Sequence, residues 1–344
     1  MRATRREFLK LVGLTSASAV SGCATSGRAD AWSRREIEII RSTVGRCACR
    51  GWAVWQGRRQ VAAWLPGVRG PALSITKSIA TLAASRAAGE GWLTASERVA
   101  DTILEWRGDP WKSLITVRML LQQVSGLEAG VVPLYRNHPA DKGRSAVALR
   151  CVDPPGTVFR YGPGHWEVLA ELMKRKLALR HQQVASFMRG AVMKPIGLSS
   201  ENWRSDGQRT PYFSTGTELS VDELGRLGRT IGNLLTGSES HGISASHFSE
   251  MARPSAVNPM FGGGIWRNTR APRGNSIEVE KSIDNPLPAS FWNSACLSRQ
   301  QAADMVALIG SGGRRVYIWP GTEMRIARLG SSSVWSDVAF LSGF

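Results

Sequence analysis

Histidine is scarce in this chain of 344 residues, which has only five, none of them at H-x-x-x-H spacing. Zinc sites are built largely from His and Cys at short fixed spacings, so the sequence argues against a zinc enzyme. A G-x-S-x-G segment, which would indicate a Ser-His-Asp hydrolase of the α/β type, is also missing. The glycine run at 262–264 is not followed by Lys-Ser or Lys-Thr, so no nucleotide loop is predicted. We therefore expect no metal and no organic cofactor.

Long apolar runs are missing as well. The apolar stretch at residues 11–20 is shorter than the about 20 residues that span a bilayer. It follows TRREFLK at residues 4–10, which resembles a twin-arginine export signal. Residues 20–23 (VSGC) resemble a lipobox, in which Cys23 would be lipidated; cleavage nearby without lipidation is the alternative. The sequence thus predicts a signal over residues 1–23, export to the periplasm or cell envelope, and membrane contact only through an N-terminal lipid.

Acidic residues are few: 27 Asp and Glu stand against 44 Lys and Arg, for a formal net charge of +17. A protein this basic can bind nucleic acid. Its arginines are scattered, however, without a dense run or interleaved aromatic residues. An exported protein also meets anionic polymers and lipid surfaces. We interpret the charge as a surface property and expect no nucleic-acid partner.

Cysteine is limited to five residues: Cys23, Cys47, Cys49, Cys151 and Cys296. If Cys23 carries the lipid, the other four allow three disulfide pairings in an oxidising compartment. Cys47 and Cys49 are too close together for an ordinary zinc pair. The pairing stays open.

The order of the predicted elements indicates an α/β fold. Hydrophobic residues make up 42% of the chain and charged residues 21%, as in a globular protein. Helical patterns dominate from about 90 to 250. The other predicted elements are a helix at 30–46, a hairpin at 51–64, a helix at 74–88 and strands at 264–268, 315–319 and 324–329. We predict a single domain over residues 30–344, with an antiparallel sheet built from both chain ends, flanking helices and an inserted mostly helical lobe.

Ser74-Ile75-Thr76-Lys77 is the only S-x-x-K segment in the chain. A serine at a helix start and a lysine three residues later lie on one face, about 5–6 Å apart at Cβ. The helix N-terminus favours a developing alkoxide. A lysine desolvated among apolar neighbours has a lowered pKa and can accept the serine proton. On spacing alone, an ordinary helix start with an exposed lysine is the better interpretation of the segment.

Four further segments resemble, in the same order, motifs of the serine β-lactamase and penicillin-binding-protein superfamily. They are GWLTASERVAD at 91–101, ITVRMLLQQVSGL at 115–127, PGTVFRY at 155–161 and GSGGRRVYIWP at 310–320. The resemblance covers roughly residues 50 to 335. Together with residues 261–268 and Phe291-Trp292, the last segment resembles the branch containing esterases and 6-aminohexanoate-dimer hydrolases.

The resemblance implies that Ser74 is a nucleophile forming an acyl-enzyme and that Lys77 and Tyr161 carry protons. It also implies a small-molecule or peptide-like ester or amide as substrate. An ammonium beside Tyr161 would favour its phenolate. Tyr135 is a rival, because Tyr135-Arg136-Asn137 satisfies the family's Y-x-N pattern. We favour Tyr161 because Pro-Gly-Thr precedes it and a helix follows it.

For the oxyanion hole, the resemblance implies the backbone N–H groups of Ser74 and of a residue near Ser311, flanked by Gly310 and Gly312. A plain tight turn is the alternative for these glycines. Residues 308–310 are Leu-Ile-Gly where the family usually has a cationic or polar triplet. This departure argues against strong β-lactamase or carboxypeptidase activity.

A second departure is Pro163, which stands where many relatives carry Asn. His165 or another residue would have to substitute for that amide, although a surface histidine is the simpler interpretation. Arg314 or Arg315 could supply charge, but alternation along a strand lets only one face the cleft. The sequence thus predicts a serine hydrolase, with a non-catalytic envelope binding protein, or a β-lactamase or DD-peptidase, as alternatives.

Overall fold

The computed structural model describes residues 31–46, 48–331 and 334–344. The predicted signal with Cys23, and also Cys47, lie outside the described residues. The strands are β1 Cys49–Gln56, β2 Arg59–Trp64, β3 Arg69–Pro71, β4 Glu218–Ser220, β5 Phe261–Gly262, β6 Ile265–Arg267, β7 Asn275–Ser276, β8 Ala295–Cys296, β9 Val306–Gly310, β10 Arg314–Trp319 and β11 Met324–Gly330. The α-helices are α1 Arg34–Arg46, α2 Thr76–Gly89, α3 Val117–Leu121, α4 Lys142–Val147, α5 Gly164–Ala178, α6 Val184–Phe187, α7 Lys194–Ile196, α8 Val221–Leu235, α9 Ala245–Met251, α10 Val279–Ser282, α11 Ala289–Asn293 and α12 Asp337–Leu341. Short turns of 3₁₀ or π geometry include Leu73–Ile75, Val132–Arg136 and Met188–Met193.

Seven strands form the main sheet, in the order β2-β1-β11-β10-β9-β6-β5, and the paired strands are antiparallel. The first two strands of the chain therefore lie beside the last three. Between β2 and β5 the chain is mostly helical. The prediction of an antiparallel sheet built from both chain ends, with an inserted helical lobe, is confirmed.

Strand β9 was not predicted. All five of its residues are buried, so its sequence VALIG shows no alternation between apolar and polar positions. A short continuous apolar run cannot be told from a buried helix segment by periodicity. The Leu308-Ile309-Gly310 triplet is thus the end of a central strand, and Gly310 lies beside the turn that leads into β10.

Glycines on one side of α8 bring this helix close to the sheet. A Cβ added at Gly225 would lie 2.5 Å from the Trp55 ring, and one at Gly228 would lie 2.8 Å from Val316. The helix begins with a capping box, in which Ser220 and Glu223 bond to each other's backbone N–H groups. This close packing holds β4, at the start of α8, near the sheet.

Arg315 of β10 anchors the C-terminal helix on the other face of the sheet. Its guanidinium contacts both carboxylate oxygens of Asp337, at 2.7 and 2.9 Å, and both side chains are 1% exposed. Glu280 and the Gly310 carbonyl accept further bonds from Arg315. Tyr317 also donates a hydrogen bond to Asp337.

Among the described residues, no helix is long and apolar enough to cross a membrane.

Replacing Asp337 with alanine should lower the free energy of unfolding by about 3–5 kcal/mol, because it removes the bidentate partner of a buried guanidinium and leaves Glu280 as its one carboxylate contact. Urea denaturation measures the change. Asp304→Ala is the control, since Asp304 is exposed and its loss should cost less than about 0.5 kcal/mol. Equal effects of the two substitutions would contradict the role assigned to the buried pair.

Candidate active site

Ser74 lies in the 3₁₀ turn directly before α2 and is partly buried. The residue before it, Leu73, has a φ of +49°, a conformation that non-glycine residues rarely adopt. Flanking bonds hold the turn: the Ala72 N–H donates to the Thr217 carbonyl at 2.9 Å, and the Thr76 and Thr217 hydroxyls lie 2.7 Å apart. The serine is therefore held on a constrained turn, as reactive side chains often are.

Lys77 is almost fully buried, with 2% of its surface exposed. Its Nζ donates to Ser74 Oγ at 2.8 Å and to the Ser214 carbonyl oxygen at 2.9 Å. Burial lowers the pKa of Lys77 from 10.5 to about 7, while the Glu167 carboxylate acts in the opposite direction. At neutral pH a substantial share of Lys77 is uncharged and able to accept a proton from Ser74.

Tyr161 lies beside the same pair of side chains. Its ring centroid is 5.0 Å from Lys77 Nζ. Burial raises the pKa of Tyr161 to about 12, and the neighbouring Ser74 hydroxyl opposes this rise only in part. The rings of Phe159, Phe261 and Trp266 surround it within 6.5 Å. The expected phenolate is thus wrong for neutral pH, at which Tyr161 is protonated and can donate a proton.

The rival Tyr135 lies on the π turn Val132–Arg136 and approaches the site from a different direction. Burial raises the pKa of Tyr135, and the neighbouring Ser214 and Thr215 side chains oppose this rise. Its ring lies 5.3 Å from Lys142 Nζ. Tyr135 therefore contacts the residue that holds Lys77, whereas Tyr161 contacts Ser74.

His165 is buried, so its interpretation as a surface residue is wrong. Its Nδ1 lies 2.9 Å from the Ser125 hydroxyl and its Nε2 lies 2.8 Å from the Arg160 carbonyl oxygen. Burial lowers the pKa of His165 to about 4, so the ring is neutral. Both ring nitrogens are engaged in fixing the chain around Tyr161.

Gly310, Ser311 and Gly312 lie at the hairpin turn between β9 and β10. A Cβ added at Gly310 would come within 2.5 Å of the Ala72 carbonyl oxygen. Glycine therefore lets the end of β9 approach the segment that carries Ser74. Gly312 has a φ of +72°, which glycine adopts without strain. The assignment of this turn to an oxyanion hole stays a prediction.

The two arginines after this turn face opposite ways, as strand alternation requires. Arg315 points to Asp337, on the face away from Ser74. Arg314 donates to the Pro71 carbonyl at 2.6 Å and to the Ser311 carbonyl at 2.7 Å. Of the two, Arg314 is the cation next to the serine-bearing segment.

Sequence reasoning missed two residues of the site, Ser214 and Glu167. Ser214 contributes a backbone carbonyl from a segment 137 residues away from Lys77. Its own N–H donates to Glu167 at 3.1 Å, and its hydroxyl donates to the same carboxylate oxygen. A backbone contact leaves no sequence signature, so only the fold reveals this pair.

Among the described residues, no group of three or more His, Cys, Asp or Glu side chains could hold a metal ion. Cys151 and Cys296 are free thiols. The groups beside Ser74 include the buried amine of Lys77 and the phenol of Tyr161.

The beta-lactamase family model matches residues 40–253, and the chain belongs to this family. This match confirms the superfamily resemblance and includes Ser74, Lys77 and Tyr161. No curated protein matches the chain.

Solved structures of similar fold come from several branches of the superfamily. A class C beta-lactamase from Rhodobacter sphaeroides superposes with a TM-score of 0.62 at 14% identity, covering 89% of this chain and 97% of that one. A Bacillus anthracis protein assigned as a 6-aminohexanoate-dimer hydrolase superposes with a TM-score of 0.64 at 15% identity, covering 88% of this chain and 79% of that one. A family VIII carboxylesterase superposes with a TM-score of 0.60 at 14% identity, covering 87% of this chain and 91% of that one. At such identities these likenesses show the fold alone.

The two tyrosines can be separated by substitution. Tyr161→Phe should slow the reaction of Ser74 with a fluorophosphonate probe by at least about tenfold, because it removes the hydroxyl beside Ser74. Tyr135→Phe should slow the reaction by less, because the neighbours of its hydroxyl are residues 214 and 215. Labelling rates followed by intact-protein mass spectrometry measure both effects. The reverse order would assign the proton-carrying role to Tyr135.

Proposed function

We propose that this protein is a serine hydrolase that cleaves a carboxylic ester or amide through an acyl-enzyme on Ser74. The observation that carries the proposal is the buried Lys77 amine, 2.8 Å from Ser74 Oγ, with a pKa lowered to about 7. Membership of the beta-lactamase family supports the same reaction class.

The geometry supports a two-step reaction. Ser74 Oγ attacks the substrate carbonyl carbon while its proton passes to neutral Lys77. The tetrahedral intermediate then collapses, the bond to the leaving group breaks, and Tyr161 protonates the departing alcohol or amine. Lys77 returns a proton to Tyr161. Water attacks the acyl-enzyme, and the same groups, used in reverse, release the carboxylic acid and regenerate Ser74.

The substrate class is a small-molecule or peptide-like ester or amide. Solved structures of similar fold include proteins described as a carboxylesterase, a class C beta-lactamase and a 6-aminohexanoate-dimer hydrolase. The buried Leu308-Ile309-Gly310 triplet offers no side-chain cation for a substrate carboxylate. This absence favours an ester or amide without that group over a penicillin or a peptide with a free C-terminus.

A non-catalytic binding protein is the second candidate. Pro163 lacks the side-chain amide that many relatives place beside the lysine, and residues 308–310 lack the usual polar triplet. Such a protein would bind an envelope ligand without forming a covalent bond to Ser74. In either case we propose export through the signal at residues 1–23, with a lipid on Cys23 as the only membrane attachment.

Ser74→Ala should lower the hydrolysis of p-nitrophenyl acetate by at least about 10³-fold, because it removes the atom that is acylated. Residues 24–344 serve as the starting protein, and release of p-nitrophenolate is the measurement. Ser85→Ala is a matched control, since Ser85 lies on α2, the helix that follows Ser74, and its hydroxyl donates to the Thr81 carbonyl. Turnover that survives in Ser74→Ala would refute the proposed nucleophile, and no turnover in the unsubstituted protein would favour the binding protein.

A further inference from the structure

We propose that Glu167 is a positioning residue for Lys77, because it fixes the peptide of residue 214, whose carbonyl oxygen is the second partner of the lysine. The inference rests on the proposed function, since it assumes that Lys77 is the base that activates Ser74. Glu167 itself contacts neither Ser74 nor, by any hydrogen bond, Lys77. Glu167 acts on Lys77 through its bonds to Ser214 and through its negative charge.

The contacts form a short chain of bonds. Lys77 Nζ donates to the Ser214 carbonyl oxygen at 2.9 Å. The Ser214 N–H donates to Glu167 Oε1 at 3.1 Å, and the Ser214 hydroxyl donates to the same oxygen. Residue 214 is therefore bonded to Glu167 through both its backbone and its side chain. With these two bonds in place, the Ser214 carbonyl is held in one orientation toward the lysine.

The helix that carries Glu167 also fixes its position relative to Tyr161. Glu167 lies in the first turn of α5, where the helix dipole favours a carboxylate. Tyr161 precedes this helix by three residues. The start of α5 therefore positions both the Tyr161 phenol beside Ser74 and the Glu167 carboxylate that bonds to Ser214. Because Glu167 is only 2% exposed, water screens its charge poorly.

The negative charge of Glu167 opposes the effect of burial on the pKa of Lys77. Burial lowers the pKa of Lys77 to about 7, and Glu167 opposes this change. Other titratable groups face this pair from neighbouring elements: Tyr161 and His165 on the side of Lys77, and Lys142, Tyr135 and Tyr212 on the side of Glu167. Burial raises the pKa of Glu167, and its bond with the Ser214 hydroxyl and the positive charge of Lys142 oppose this rise.

This arrangement takes the place of an amide that the chain lacks. Pro163 stands where many relatives have an asparagine beside the lysine, and a proline side chain cannot accept a bond from Lys77. His165 is occupied by Ser125 and the Arg160 carbonyl. The Ser214 carbonyl supplies the missing acceptor, and Glu167 holds it in place.

The test is the pH dependence of Ser74 reactivity in Glu167→Gln. Glutamine can still accept both Ser214 bonds but carries no charge. Removing the charge lowers the pKa of Lys77, so neutral lysine persists at lower pH. The midpoint of the acid limb of the pH profile should therefore shift to lower pH by about one unit. Glu171→Gln is the matched control, because Glu171 lies one turn later on α5 and pairs with Lys174 and Arg175. Its profile should coincide with that of the unsubstituted protein.

Two readouts are used: kcat/KM for p-nitrophenyl acetate and the rate of labelling by a fluorophosphonate probe, both from pH 5 to 9. Ser214→Ala is the second variant; it keeps the carboxylate but loses one of the two bonds, so it should lower kcat/KM while leaving the acid limb within about 0.3 unit. An unshifted limb in Glu167→Gln, or an unchanged kcat/KM in Ser214→Ala, would overturn the inference while Ser74→Ala still abolishes turnover. Activity surviving in Ser74→Ala would instead overturn the proposed function itself.

Discussion

The site is arranged around the buried amine of Lys77. An unpaired ammonium is costly to bury, and the structure meets this cost with two acceptors, Ser74 Oγ and the Ser214 carbonyl oxygen. Burial lowers the Lys77 pKa to about 7, and the same burial raises that of Tyr161 to about 12. The two groups therefore take opposite roles at neutral pH: Lys77 can accept a proton and Tyr161 can donate one.

Distant parts of the chain meet at this amine. Ser74 and Lys77 begin the helix that follows the first hairpin, whereas Ser214 precedes β4 and Tyr161 precedes α5. The turn after β9 comes from the end of the chain and packs against the Ala72 carbonyl, an approach that only glycine at 310 allows. The sheet built from both chain ends is what brings this turn to the serine. Fold and site are thus two consequences of one topology.

Local patterns in the sequence predicted the helices α1 and α2, a mostly helical middle region and the strands β1, β2, β6, β10 and β11. The family resemblance implied Ser74, Lys77 and Tyr161, which the structure brings together. They failed where the signal is not local. Strand β9 has no alternation because both of its faces are buried. Ser214 acts through a backbone oxygen, which any residue type could supply. The burial of His165 and the protonated state of Tyr161 depend on packing that no spacing encodes.

The most direct test of the account is an NMR titration of Lys77 in protein carrying ¹³C-labelled lysine, with Lys77→Met used to assign its signal. The account predicts that the ε-carbon shift of Lys77 titrates with a pKa of about 7. Titration near the ordinary lysine value of 10.5 would contradict it, because a fully charged Lys77 could not accept the Ser74 proton at neutral pH.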